Sequence, residues 1–180
     1  MMTTVGARRR ALDLLNHFPI GPSLRGAEVG VWRGFMSAAL LDINPHLYLY
    51  MVDNWVGKAE WPMGYRPADM PSNKLRANVN TEFALERRRL LHADSVQAAN
   101  LVANASLDFV YLDAGHSYAD VRADIIAWAP KVRSGGWLCG DDYANTKIAN
   151  DVQPAVDDAV AALGWKLELG PWTGWYVRMS

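Results

Sequence analysis

The sequence predicts an α/β fold of three layers, a mostly parallel sheet with helices on both faces. Strand-like and helix-like patterns alternate along most of the chain, as they do in such folds. The run "LYLYMVD" (47–53) is continuously apolar up to its last residue, as a central parallel strand should be. The tail "WKLEL-GPWTG-WYVRM" breaks the alternation and reads as an antiparallel hairpin around a Gly/Pro turn. Five parallel strands and this hairpin make a seven-stranded sheet.

Each element has its own signal. Residues 11–18, "ALDLLNHF", carry apolar side chains at helical spacing, and Pro19 stops the helix. With the residues before it, this forms an N-terminal helix within 1–20. "GAEVGV" (26–31) is a short first strand, and "FMSAALLDI" after Gly34 is a helix. Residues 54–71 hold three prolines, two glycines, two tryptophans and a tyrosine, the composition of a functional loop or lid. "SNKLRANVNTEFALE" reads as a helix capped by Ser72. "RRRLLHAD" ends in the third strand, and "SVQAANLVANA" follows as a helix.

"DFVYLD" (108–113) is the fourth strand. Ser117 and Asp120 then open a helix in a capping-box-like arrangement, with an apolar stripe at Val121, Ile125, Trp128 and Val132. "SGG" (134–136) turns into a fifth strand, "WLCG". A helix over 152–163 with Pro154 in its first turn precedes the hairpin. No linker or repeat divides the 180 residues, so 1–180 reads as a single domain. Trp128, Trp137, Trp165 and Tyr176 are assigned to its core.

Charge and composition narrow the function. Eighteen basic and nineteen acidic residues leave a net charge of -1, no basis for nucleic-acid or membrane-surface binding. The runs "ARRR" (7–10) and "ERRR" (86–89) read as solvated faces. No apolar stretch approaches the roughly 20 residues that span a bilayer, and no signal-peptide pattern follows the first arginines. The single cysteine, Cys139, in an apolar run, reads as a buried, inert thiol in a reducing compartment, which makes the cytoplasm the default location. His17, His46 and His92 lack partner patterns. The sequence permits a homo-oligomer.

Acidic residues recur toward the carboxyl ends of the strands: Glu28 lies within the first, Asp53 ends the second, Asp94 follows the third, Asp113 ends the fourth, and Asp141 and Asp142 end the fifth. In an open α/β sheet those ends form one rim, where ligands bind. Gly30 and Gly34 lie between the first strand and its helix, Gly30 to let a ligand approach the backbone and Gly34 to open the helix. Asp53 falls 19 residues beyond Gly34, a distance suited to a carboxylate that grips ribose hydroxyls. Valine and tryptophan stand where a dinucleotide motif wants further glycines. S-adenosylmethionine carries no phosphate and does not need them, so the spacing favours it over a nicotinamide dinucleotide. Trp32 and Trp55 border this motif and shape its pocket. Trp61 and Tyr65 are the better candidates for substrate contact.

Asp113, Asp141 and Asp142 form a second constellation, with oxygen ligands suited to Mg2+ or another hard divalent cation. Adjacent strand residues point to opposite faces, so both aspartates reach one ion only if the strand ends at Gly140. The alternative is that Asp142 caps the following loop and Asp141 alone lines the pocket. His116 stands three residues past Asp113, where a catalytic base would flank a metal ligand.

The segments "AEVGVWRG", "YMVDNW", "HADS", "DFVYLDAGHSYADVRADIIAWAPKVRSGGWLCGDDY" and "VQPAVDDAV" resemble class I S-adenosylmethionine-dependent methyltransferases. More narrowly, they are similar to the metal-dependent O-methyltransferase branch with macrocin-type and cephalosporin-hydroxylase-like members. The resemblance implies a Rossmann-like methyltransferase fold. It implies that Glu28, Gly30 and Gly34 surround the methionine part of the cofactor, that Asp53 holds the ribose, and that Asp94 and Ser95 lie near the adenine. Asp113, Asp141 and Asp142 match the metal ligands, and His116 the catalytic base, with Asp113 contributing to catalysis and cofactor binding. Members that act on macrolide sugars are larger, so sugar specificity does not carry over.

These residue types suit methyl transfer to a hydroxyl of a small molecule of sugar or natural-product type. The metal lowers the hydroxyl's pKa and His116 takes its proton. Two other readings stay open: a nicotinamide-dependent oxidoreductase, and a non-catalytic cofactor-binding or assembly protein on the same fold.

Overall fold

The computed structural model of the protein describes residues 4–18, 23–59, 63–145 and 151–180. Its strands are β1 (Arg25–Val29), β2 (Tyr48–Asp53), β3 (Arg88–His92), β4 (Leu107–Leu112), β5 (Val132–Gly140), β6 (Leu167–Leu169) and β7 (Trp175–Arg178). They form one sheet in the order β3-β2-β1-β4-β5-β7-β6. The first five are parallel; β7 runs antiparallel to β5 and to β6, which is the expected hairpin. Strand order reverses between β1 and β4, which places a topological switch point at the sheet's centre.

The helices are α1 (Thr4–Leu15), α2 (Phe35–Ile43), α3 (Met70–Asn80), α4 (Ser95–Ala99), α5 (Tyr118–Trp128) and α6 (Val152–Leu163). Every residue of β4 is buried, because alternate side chains enter two different cores. Val110 and Leu112 pack with Val121, Ile125 and Trp128 of α5 and Val152 and Val156 of α6. Phe109 and Tyr111 face the other way, toward Leu14 of α1 and Met36 and Leu40 of α2. No helix among the described residues is long and apolar enough to cross a membrane.

Several boundaries differ from the sequence reading. The first helix runs Thr4–Leu15 and gives way to a turn before Phe18; Pro19 lies outside the described residues. The helix assigned to 72–86 begins earlier, because Pro71, which lacks an N–H, sits in its first turn. Ser72 is therefore not its cap, and its hydroxyl donates back to the Asp69 carbonyl at 2.9 Å. Thr81 ends α3, and residues 82–87 form 3-10 turns broken at Ala84. The helix read from 95 onward shrinks to α4, as Leu101 and Val102 close tighter bonds to Ala98 and Ala99.

The "SGG" segment lies inside β5 rather than turning into it. Pairing with β4 shifts between Leu107 and Phe109, Gly135 takes a φ of +76°, and a side chain at Gly136 would strike the Asp108 carbonyl. Trp128, Trp137 and Tyr176 are buried as expected, Trp165 only partly, and Trp175 joins the core. Cys139 is buried and its thiol donates to the Val110 carbonyl; burial pushes its pKa up, which keeps it inert.

Candidate active site

Register turns the sequence's scattered acids into a row. Val29 pairs with Val52 and with Leu112, and Leu112 pairs with Gly140. The residues that follow these positions, Gly30, Asp53, Asp113 and Asp141, therefore stand side by side along the carboxyl edge of four strands. The backbone bonds from Gly30 N–H to the Val52 carbonyl and from Asp113 N–H to the Val29 carbonyl extend the ladder to this edge.

On the β1–β2 side, Glu28 is 2% exposed and accepts a bond from the Ser37 hydroxyl of α2. Burial pushes its carboxyl up to about 8, with Ser37 opposing and Asp113 and Asp53 adding to the rise. Asp53 accepts the N–H groups of Trp32 and Trp55, both at 2.7 Å. Burial raises its pKa against those backbone bonds. The Val31 N–H adds a third backbone contact to the same carboxylate.

Gly30 needs its lack of a side chain for a reason other than ligand approach. Its φ is +99°, and a Cβ would lie 2.0 Å from the Asp113 carbonyl oxygen. The space beside it is filled by the end of β4, so this glycine locks β1 to β4. Gly34, at φ +73°, similarly lets α2 meet Ala77 of α3.

The described part of the irregular segment packs on this edge. Tyr65 stacks on Trp32 with ring centroids 4.7 Å apart and planes 3° from parallel. The Gly64 carbonyl accepts from Trp32 Nε1 at 3.0 Å and from Asn73 Nδ2 at 2.7 Å. Trp55 Nε1 donates to the Trp32 carbonyl. Burial raises the Tyr65 pKa, and Asp113 and Asp142 add to it, so its phenol shares their surroundings. Trp61 lies outside the described residues.

On the β4–β5 side, Asp113, His116 and Asp142 each offer an atom, and these atoms all lie within 4.8 Å of one another. His116 Nε2 is 3.1 Å from Asp142 and 3.6 Å from Asp113, yet makes no well-formed hydrogen bond to either. Burial drives Asp113 to about 6 against the opposing contact with His116, and Asp141 and Asp142 add to the rise. The Asp113 contact raises His116 while burial pulls it down. Asp113 and Asp142 offer the oxygens that a hard divalent cation takes, and the unpartnered His116 Nε2 stands beside them.

Asp141 and Asp142 part company here. β5 ends at Gly140, as the sharing of one ion required, and Asp142 turns into the cluster at φ +62°. Asp141 instead pairs with Arg10 of α1 and accepts the Thr173 hydroxyl at 2.6 Å. Asp94 is exposed and caps α4 by accepting Val96 N–H. Ser95 donates to Asp124, a carboxyl that burial raises to about 6. A cavity beside the ends of β4 and β5 is lined by Asp113, His116, Asp124, Asp141, Val152 and Trp175.

Sequence reasoning missed Arg10, Asp124 and Thr173. For Arg10 a signal existed: it is three residues past Ala7 and one before Ala11, on the inward stripe of α1. The run read as a solvated face therefore divides, with Arg8 and Arg9 exposed and Arg10 turned inward. Arg87 of the other run donates to the carbonyls of Leu41, Asn44 and Leu47 at the end of α2.

Residues 27–143 match the family described as methyltransferase domain. The chain belongs to this methyltransferase family. It is an S-adenosylmethionine-dependent enzyme, as the glycine and Asp53 spacing favoured. The fold agrees with solved methyltransferases. The O-methyltransferase NovP is 20% identical, with a TM-score of 0.64 over 98% of this chain and 79% of that one. The apo form of CalS11, a TDP-rhamnose 3'-O-methyltransferase, is 18% identical, with a TM-score of 0.62 over 97% and 77%. Aeropyrum pernix fibrillarin, solved with natively bound S-adenosylmethionine, is 15% identical, with a TM-score of 0.62 over 95% and 75%. At such identities the likeness is one of fold. No curated protein matches the chain.

Proposed function

We propose that this methyltransferase moves a methyl group to a hydroxyl of a small molecule, of the sugar or natural-product type. The observation that carries the reading is the Asp113–His116–Asp142 cluster beside the β1–β4 switch point. The O-methyltransferases NovP and CalS11 support it by fold, and CalS11 by its TDP-rhamnose substrate. Glu28, Gly30, Gly34, Asp53 and Trp55 form the cofactor side. Asp53 would hold the ribose, and Asp94 and Ser95 would bound the adenine end. Residues 54–71 act as the lid, in a single domain of 180 residues that works in the cytoplasm.

When bound, S-adenosylmethionine supplies an electrophilic sulfonium methyl, and a divalent cation such as Mg2+ on Asp113 and Asp142 supplies Lewis acidity toward the acceptor hydroxyl. His116 Nε2 accepts the hydroxyl proton. The oxygen so deprotonated would be the group to which the cofactor's methyl is offered, with S-adenosylhomocysteine the product left behind. The stacked Tyr65 and Trp32 exclude water and hold the two partners together, the larger source of acceleration.

Calorimetry with S-adenosylhomocysteine, with and without Mg2+, tests the cofactor side on wild type and Asp53→Ala. Binding that Asp53→Ala abolishes supports the reading and opens a screen of hydroxylated acceptors, with His116→Ala as the control. Absence of binding under every condition would defeat it.

A further inference from the structure

We propose that the chain pairs with a second copy of itself through the outer face of α3, in an antiparallel contact whose two-fold axis passes beside Val79. This surface lies outside the site described above, but it backs the helix that holds the site's irregular segment in place.

The sequence of α3 gives it two apolar faces. Met70 and Ala77, with Asn73 between them, face inward and are buried. Leu75 and Val79 sit one turn apart on the opposite side and are 63% and 59% exposed. Phe83 and Leu85 continue the apolar run into the 3-10 turns, at 58% and 57%. A single exposed leucine is ordinary, but a helix apolar on both sides wants its outer face covered as well. Within the described residues nothing covers this one.

The charges around the stripe identify the occupant. Counted from Val79, Leu75 and Phe83 lie four residues to either side, and Arg76 and Glu82 three to either side. A two-fold axis at Val79 therefore sets Leu75 against Phe83 of the second copy and Arg76 against its Glu82, twice over, as an isologous contact requires. Arg76 and Glu82 are both exposed, and neither forms a salt bridge among the described residues. Arg88 lies near enough to sense Glu82, but its guanidinium is engaged by Asn78 and the Thr81 carbonyl. One sign of charge around the stripe would suit a different protein; opposite signs at symmetric positions suit the same one. On the inner face, Asn73 donates to the Gly64 carbonyl at 2.7 Å and accepts from Arg33 Nε at 2.8 Å. Pairing thus steadies the helix that holds Gly64 and Tyr65 against Trp32.

Sedimentation velocity from roughly 1 to 100 µM, the range suited to a small interface, tests this on wild type, Arg76→Glu, Glu82→Arg and the double variant. Wild type is expected to shift from monomer to dimer across the range. Each single reversal brings like charges together at both ends of the contact and should weaken the dimer at least ~10-fold. The double variant restores opposite charges and should recover to within ~3-fold of wild type. A wild type that stays monomeric, a dimer indifferent to the single reversals, or a double variant no better than the singles overturns the proposal. Cross-linking gives an independent answer, because the native cysteine, Cys139, is buried. Val79→Cys should be joined to its copy by a short bismaleimide, and Leu12→Cys, on the exposed face of α1, should not. Cross-linking of Leu12→Cys in place of Val79→Cys would move the interface to α1 and overturn the assignment.

Discussion

Replacing Glu28 by glutamine should make the protein more stable and remove a large part of its pH dependence. Glu28 is buried beneath the cofactor edge, with a carboxyl pushed from 4.5 to about 8. Between those values the folded protein keeps a proton that the unfolded chain has released, so stability falls as pH rises through this window. From pH 4.5 to 7 the loss is roughly 2.5 units at about 1.4 kcal/mol each, or ~3 kcal/mol. Glutamine has nearly the same shape and still accepts the Ser37 hydroxyl through its carbonyl oxygen. Relative to wild type, Glu28→Gln should therefore gain ~3 kcal/mol at pH 7, about 6–12 °C in melting temperature at this chain length. The gain should vanish near pH 4.5. Thermal melts of both proteins from pH 4.5 to 8.5 measure it. A variant no more stable than wild type at pH 7, or with the same pH slope, would show that Glu28 is ionised in the folded protein. S-adenosylhomocysteine affinity should fall in the same variant, since a group kept at such expense on the cofactor side serves binding.

Gly30→Ala, which combines φ +99° with a 2.0 Å clash against β4, should lose several kcal/mol, more than the ~1 kcal/mol expected at Gly164, where φ is +66° and the space is open; urea unfolding of the two variants compares them. The His116 imidazole should titrate above 6.5 by NMR and move down in Asp113→Asn; an unmoved value would place the Asp113 contact in doubt. Activity that needs neutral His116 should accordingly rise with pH through that value. Tyr65→Ala deletes the stack on Trp32, worth about 0.5–1.5 kcal/mol. Proteolysis within residues 54–71 should quicken, and protection equal to wild type would mean the hydrogen bonds to Gly64 suffice to hold the segment.

The sequence by itself determined the layers and the strands. A strand such as β4, apolar on both faces, has no stable place except inside a parallel sheet, and the Gly/Pro turn near the end forces a hairpin. It also determined which acids lie at strand ends, because strand ends are legible from where apolar runs stop. Helix ends were less so: Pro71 moved the start of α3, and α4 stopped short because its tail closed tighter turns. What only the tertiary structure decided is which of those acids meet. Asp141 and Asp142 are neighbours in sequence with the same chemistry, and no local pattern distinguishes them. Arg10 and Thr173, 163 residues apart, bond to Asp141, while Asp142 reaches His116. Gly30 follows the same logic, since the carbonyl that fills its empty side belongs to Asp113, far along the chain. Local propensity acts over a few residues, whereas partners for buried charge and space for a Cβ are set by strand register.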